Sequence, residues 1–107
     1  GVYQLGPLAV DVVDRVARVS GTDTIAGSTA TMDRVFRFAV TNGGLARDEA
    51  LMMAVRQASL NPARALGLPC TGLTAGAGAD LVVLDQELAV AGVLRRGVWV
   101  VAPRGRR

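Results

Sequence analysis

The sequence predicts an α+β chain, with helices in its middle third and antiparallel strands in its last, and three observations carry that prediction. Met32, Val35, Phe36, Ala39 and Val40 recur at helical spacing and form one apolar stripe. Leu51, Ala54, Val55 and Ala58 form a second. Residues 81–84, 90–94 and 98–102 are short valine- and leucine-rich runs, and the pair Arg96-Gly97 makes a tight turn between the last two.

Residues 1–20 fit two patterns. Ala9, Val12, Val13 and Val16 have helical spacing, with Asp11/Arg15 and Asp14/Arg18 available as i,i+4 pairs. Leu8, Val10 and Val12 alternate, and the valine density suits strands. On pattern alone both remain open.

Residues 24–32 join this segment to the first helix, expected over residues 28–41. Hydroxyl side chains before an apolar periodic run accept hydrogen bonds from the first turn's orphan N–H groups, so Ser28 is the expected N-cap, with Thr29 next. Gly27 lets the chain turn, or approach another group, without a Cβ in the way. A helix start behind a glycine can present N–H groups to an anionic ligand; an ordinary capped helix after a tight turn explains the same residues. Asp33 lies in the first turn, where the helix dipole favours a carboxylate, and Asn42-Gly43-Gly44 ends the helix.

The second helix is expected over residues 47–59, with Met52 and Met53 widening its buried face as core residues. Asn61-Pro62 marks a break, Asn61 capping a short helix that ends at Gly67. Arg64 suits either a carboxylate or carbonyl partner or a solvated face. Gly76-Ala77-Gly78 matches no nucleotide-binding fingerprint. Asp80, just before a strand, suits a turn role toward backbone N–H groups, and Trp99 a packing role.

Composition excludes several chemistries. There is no histidine among the 107 residues, so no imidazole can ligate a metal and no Ser/His or Cys/His nucleophilic pair can form. The nine carboxylates show no spacing suggestive of a metal cage. Cys70, the single cysteine, excludes an internal disulfide and reads as a loop thiol suited to a reducing cytosol. Net charge is +3, with twelve basic side chains that are all arginine. Arg104, Arg106 and Arg107 lie in a terminal Pro/Gly tail, and no aromatic residues interleave with the arginines, so a solvated tail is expected rather than a nucleic-acid surface. Half the residues are hydrophobic and 4% aromatic, which makes any core aliphatic. No uninterrupted apolar run is long enough for a membrane span, and no leader pattern is present. Opening on Gly1 rather than Met, the chain is expected to be a fragment.

Three segments together resemble one family. Thr24-Ile25-Ala26-Gly27-Ser28 before a helix resembles the Gly-Thr-Ile/Leu-Ala/Ser-Gly-Ser segment of N-acetylglucosamine-6-phosphate deacetylases. The run from Ala58 through Asn61-Pro62-Ala63-Arg64 to Leu66-Gly67-Leu68 resembles their Asn-Pro-Ala-Arg-x-Leu-Gly-Leu helix. Ala79-Asp80-Leu81-Val82-Val83-Leu84-Asp85 resembles their Ala-Asp-Leu-Val-Val-Leu-Asp strand. The last two motifs are common to many amidohydrolases; the first points to the sugar-phosphate branch. The family has a hairpin before the Gly-Ser segment, so the resemblance selects strands for residues 1–20, with Asp14-Arg15 where the family commonly has Asp-Gly. Relative to the family pattern the second helix carries about one additional turn around Met53 to Arg56.

The resemblance implies a fragment of a metal-dependent hydrolase. Residues 1–67 would end a (β/α)8 catalytic barrel through a β-hairpin, a substrate loop and its last helices. Residues 68–107 would supply C-terminal antiparallel strands of a small β-sandwich, plus the arginine-rich tail. The implied reaction is hydrolysis of N-acetylglucosamine 6-phosphate to glucosamine 6-phosphate and acetate. It uses a divalent metal, zinc or iron, and an acid–base carboxylate, none of which falls on this chain. What carries over is substrate binding by the main chain at Ile25, Ala26 and Gly27. The implied partners are the sugar phosphate, the rest of the barrel and further copies in a homo-oligomer, in the cytoplasm, with neither nucleic acid nor membrane. Alternatives are a dihydroorotase-like or deaminase-like amidohydrolase, a non-catalytic interaction module, and an arginine-driven anion or nucleic-acid binder.

Overall fold

The computed structural model describes residues 1–69 and 72–103. The expectations for Cys70 and for Arg104, Arg106 and Arg107 lie outside the described residues. The chain divides into two compact units, Gly1–Thr31 and Met32 onward.

The first unit is a four-stranded antiparallel meander rather than the expected two-stranded hairpin. β1 (Val2–Leu5), β2 (Leu8–Val13), β3 (Val16–Val19) and β4 (Ile25–Gly27) pair in sequence order. Strands prevail over the helical alternative because alternation places Val10 and Ala17 in the buried interior, at 4% and 7% exposure. Asp11 therefore sits opposite Arg18 across β2 and β3, not beside Arg15 on a helix. Gly6, at φ +58°, opens the β1–β2 turn ahead of Pro7. Asp14 and Arg15 form the β2–β3 turn with φ of 48° and 65°, the doubly left-handed geometry of a type I′ turn without its usual glycine.

In the second unit α1 spans Met32–Asn42 and α2 spans Arg47–Val55. The start of α1 is four residues later than Ser28, so neither Ser28 nor Thr29 caps it. Phe36, Ala39 and Val40 of its stripe face the core, whereas Met32 and Val35 are exposed. The Asn42 amide donates to the Phe38 carbonyl at 3.0 Å, and Gly44 reverses the chain at φ +69°. On α2 the buried positions are Ala50 and Ala54; Met52 is 57% exposed and does not join the core as expected.

The expected break at Asn61-Pro62 is absent. The chain runs from α2 through a π-helical segment (Arg56–Leu60) directly into α3 (Asn61–Ala65). Asn61 is itself helical, at φ −67° and ψ −45°, and donates its N–H to the Arg56 carbonyl five residues back. Pro62 lacks an N–H and its ring would crowd the carbonyl four residues earlier, and the wider π turn relieves that crowding without ending the helix. Gly67 does end α3: Gly67 N–H donates to Arg64 and Leu68 N–H to Ala63, at 3.1 and 2.8 Å, a Schellman pair.

β5 (Leu81–Leu84), β6 (Val90–Arg95) and β7 (Val98–Val101) form an antiparallel sheet in that order. The Arg96-Gly97 turn has both residues left-handed, at φ 49° and 79°. Its two amides are answered by the segment before β5. Asp80 Oδ1 accepts from Arg96 N–H at 2.9 Å and the Ala79 carbonyl from Gly97 N–H at 3.0 Å. Trp99 lies over Gly92, where a Cβ would sit 3.1 Å from its ring, and remains 47% exposed. The unit's core is small and aliphatic: Val40, Ala50, Ala54 and Leu88, flanked by Phe36, Leu51 and Leu84. Among the described residues no helix is long and apolar enough to cross a membrane.

Candidate functional site

Ile25, Ala26 and Gly27 lie together on β4, the last strand of the first sheet. Ala17 pairs with Gly27 and Arg18 with Ile25, so Ala26 is the extra residue of a β-bulge. Bulges bend a strand and re-aim its groups, and they recur beside binding sites. At a sheet edge, the main-chain groups that β4 turns away from β3 are available to a ligand.

Ile25 is 67% exposed and Ala26 half-buried. A Cβ at Gly27 would meet nothing within 4 Å, so the protein itself does not require glycine there for space. A depression of about 280 Å³ runs alongside, lined by Ala26, Gly27, Ser28 and Thr29 and by Tyr3 and Val10. Its lining is mostly apolar, with Gln4 and Tyr3 of β1 and the hydroxyls of Ser28 and Thr29 as polar side chains.

The hydroxyls expected to cap a helix hold this segment instead. Ser28 Oγ accepts from the Ala30 N–H at 3.1 Å, a local turn. Thr29 Oγ1 donates to the Arg15 carbonyl at the β2–β3 turn. Sequence reasoning missed the bulge and the Thr29–Arg15 contact. Neither leaves a local signal, because each depends on pairing with residues far earlier in the chain.

The residues present do not suit a divalent metal. The sequence has no histidine, and among the described residues no group of three or more Cys, Asp or Glu side chains gathers at one point. A larger depression of about 540 Å³ along α2 is lined by Asp48, Glu49, Met52 and Arg56, among others.

Comparison with known proteins places the chain in a family of hydrolytic enzymes. It belongs to the amidohydrolase family, whose model matches residues 10–100. It is similar to the N-acetylglucosamine-6-phosphate deacetylase of Rattus norvegicus, at 38% identity over 109 residues, covering 98% of this chain and 26% of that protein. The human protein of the same name is 40% identical over 103 residues, covering 92% of this chain and 24% of its own length. Among solved structures, the chain is similar to a variant N-acetyl-D-glucosamine-6-phosphate deacetylase from Mycobacterium smegmatis in complex with N-acetyl-D-glucosamine-6-phosphate. Identity there is 70% and the TM-score 0.91, over 95% of this chain and 27% of that one. The Pasteurella multocida deacetylase shares the fold at 24% identity and a TM-score of 0.78, over 94% of this chain and 26% of that chain. The chain thus spans about a quarter of the length of the relatives it matches.

Proposed function

We propose that this chain is part of an enzyme that hydrolyses the acetamide of N-acetylglucosamine 6-phosphate, giving glucosamine 6-phosphate and acetate. The observation that carries the reading is the 70% identity, over 95% of the chain, with the Mycobacterium smegmatis deacetylase in complex with that sugar phosphate. The dihydroorotase-like, deaminase-like, interaction-module and anion-binder alternatives draw no support from these relatives.

In this reading β4 contributes the chain's own part of the site. Ile25, Ala26 and Gly27 offer main-chain hydrogen bonds to the sugar phosphate from the open edge of the sheet, and the missing Cβ of Gly27 keeps the approach clear. The bulge at Ala26 bends the strand and re-aims its main-chain groups. A divalent metal, zinc or iron, and the acid–base carboxylate are held elsewhere in the enzyme, since this chain's side chains do not suit the metal. Residues 1–67 complete the end of its catalytic barrel and residues 68–107 add strands to its sandwich. Assembly as a cytoplasmic homo-oligomer belongs to the same reading.

The test is turnover by the full-length enzyme, read as acetate release from N-acetylglucosamine 6-phosphate and from N-acetylglucosamine, and as ring opening of dihydroorotate. Turnover of the phosphorylated sugar in strong preference to both others is expected. Preference for dihydroorotate, or for neither sugar, would overturn the reading.

A further inference from the structure

We propose that Thr29 is a positioning residue for the ligand-binding main chain of β4, acting through the carbonyl of Arg15; this rests on the assignment of Ile25, Ala26 and Gly27 made above. Three residues of strand, one of them a bulge, are a weak hold on an edge. The segment is fastened before β4 by Val19 N–H donating to the Thr24 carbonyl at 2.9 Å. After β4 the fastening passes to a side chain. The half-buried Thr29 reaches back 14 residues and donates its hydroxyl to Arg15.

The acceptor is well placed. Arg15 is the second central residue of the two-residue β2–β3 turn, so its carbonyl lies outside the strand ladder and is free to take a side-chain donor. Ser28 makes a different contact, its oxygen accepting from the Ala30 N–H in a local turn. With both ends tied to the β2–β3 hairpin, residues 25–27 are held in their binding shape before the ligand arrives. Without the Thr29 tie, ligand binding must order the segment, which weakens affinity and leaves the chemical step alone.

The experiment uses the full-length enzyme with Thr29→Val, Thr29→Ser and Thr29→Cys. Acetate release, binding of glucosamine 6-phosphate by calorimetry, bound metal and melting temperature are measured on the same preparations. Thr29→Val is expected to raise KM and the product's Kd about tenfold, a loss appropriate to one hydrogen bond, with kcat within about twofold and metal unchanged. Thr29→Ser restores both constants. Thr29→Cys, a weak donor of similar size, falls between them and carries the test if the valine variant does not fold. An unchanged KM in Thr29→Val or Thr29→Cys, with only the melting temperature lowered, overturns the proposal, as does a serine variant no better than valine. A wild-type enzyme that releases no acetate sinks the substrate assignment itself, which is a separate and recognisable failure.

Discussion

Arg47 of α2 donates from Nη2 to the carbonyl of Gln86, 39 residues away, at 2.7 Å. Arg37 of α1 does the same to Leu88 at 3.3 Å. Two helices thus grip one turn, the β5–β6 connection, through guanidinium groups and main-chain acceptors. The exposed Arg47 bond is expected to contribute about 1 kcal/mol, so Arg47→Ala should lower the melting temperature of the full-length enzyme modestly. Thermal melts with Arg47→Lys alongside check this, since lysine lacks the planar fork and should recover only part of the loss.

Leu88 is held in that turn at φ +62° while 5% exposed, a left-handed backbone on a core side chain. Truncation to alanine should cost about 2–4 kcal/mol through lost burial and the cavity left behind. Leu88→Gly should be no worse than Leu88→Ala, reversing the usual order, because glycine relieves roughly 1 kcal/mol of left-handed strain. Denaturant melts of both variants give the comparison; a glycine variant clearly less stable than alanine contradicts it.

Gly27→Val should separate binding from folding. An added Cβ meets no atom of this chain within 4 Å, so melting temperature and bound metal should stay near wild type. If the ligand approaches the main chain there, kcat/KM should fall roughly ten- to a hundredfold. Ser28→Ala is the control, removing only the local acceptor for Ala30 N–H. Normal kinetics in Gly27→Val would remove β4 from the site.

The chain in isolation should self-associate and release no acetate. Val98, Trp99, Val100 and Val101 make an apolar edge strand with exposures of 68%, 47%, 66% and 47%. Val2, Tyr3 and Leu5 do the same on β1, at 74%, 62% and 55%. Exposed apolar edges template pairing between copies. Size-exclusion chromatography should show aggregates or oligomers, shifted toward monomer by Val100→Lys; a cooperative monomer would favour an independent module.

The elements that proved legible are those whose signal is local. The α1 stripe, the three C-terminal strands and the Arg96-Gly97 turn announce themselves within a few residues, and Gly67 stops its helix as glycine does. The start of α1 was misplaced because a hydroxyl before a helix is ambiguous: Ser28 spends its oxygen on Ala30 rather than on the helix. Asn61-Pro62 reads as a stop because proline usually is one, and only the π turn over residues 56–60 lets the helix pass it. β4 has three residues and exists through pairing with β3, so no periodicity could mark it. The candidate site at Ile25, Ala26 and Gly27 is legible through resemblance; its edge position, its bulge and the Thr29 tie depend on pairing with residues far earlier in the chain.

The capture of the Arg96 and Gly97 amides by Asp80 and Ala79 has a kinetic side. Amides at the tip of a hairpin ordinarily exchange with solvent deuterium almost as fast as those of a free peptide, because the ladder makes no use of them. Here both are occupied by a segment that precedes β5, so they can exchange only when that segment lifts away. The tip of the β6–β7 hairpin becomes a reporter on the docking of β5, and Asp80→Ala should release the Arg96 amide to exchange while the strand amides on either side keep their protection.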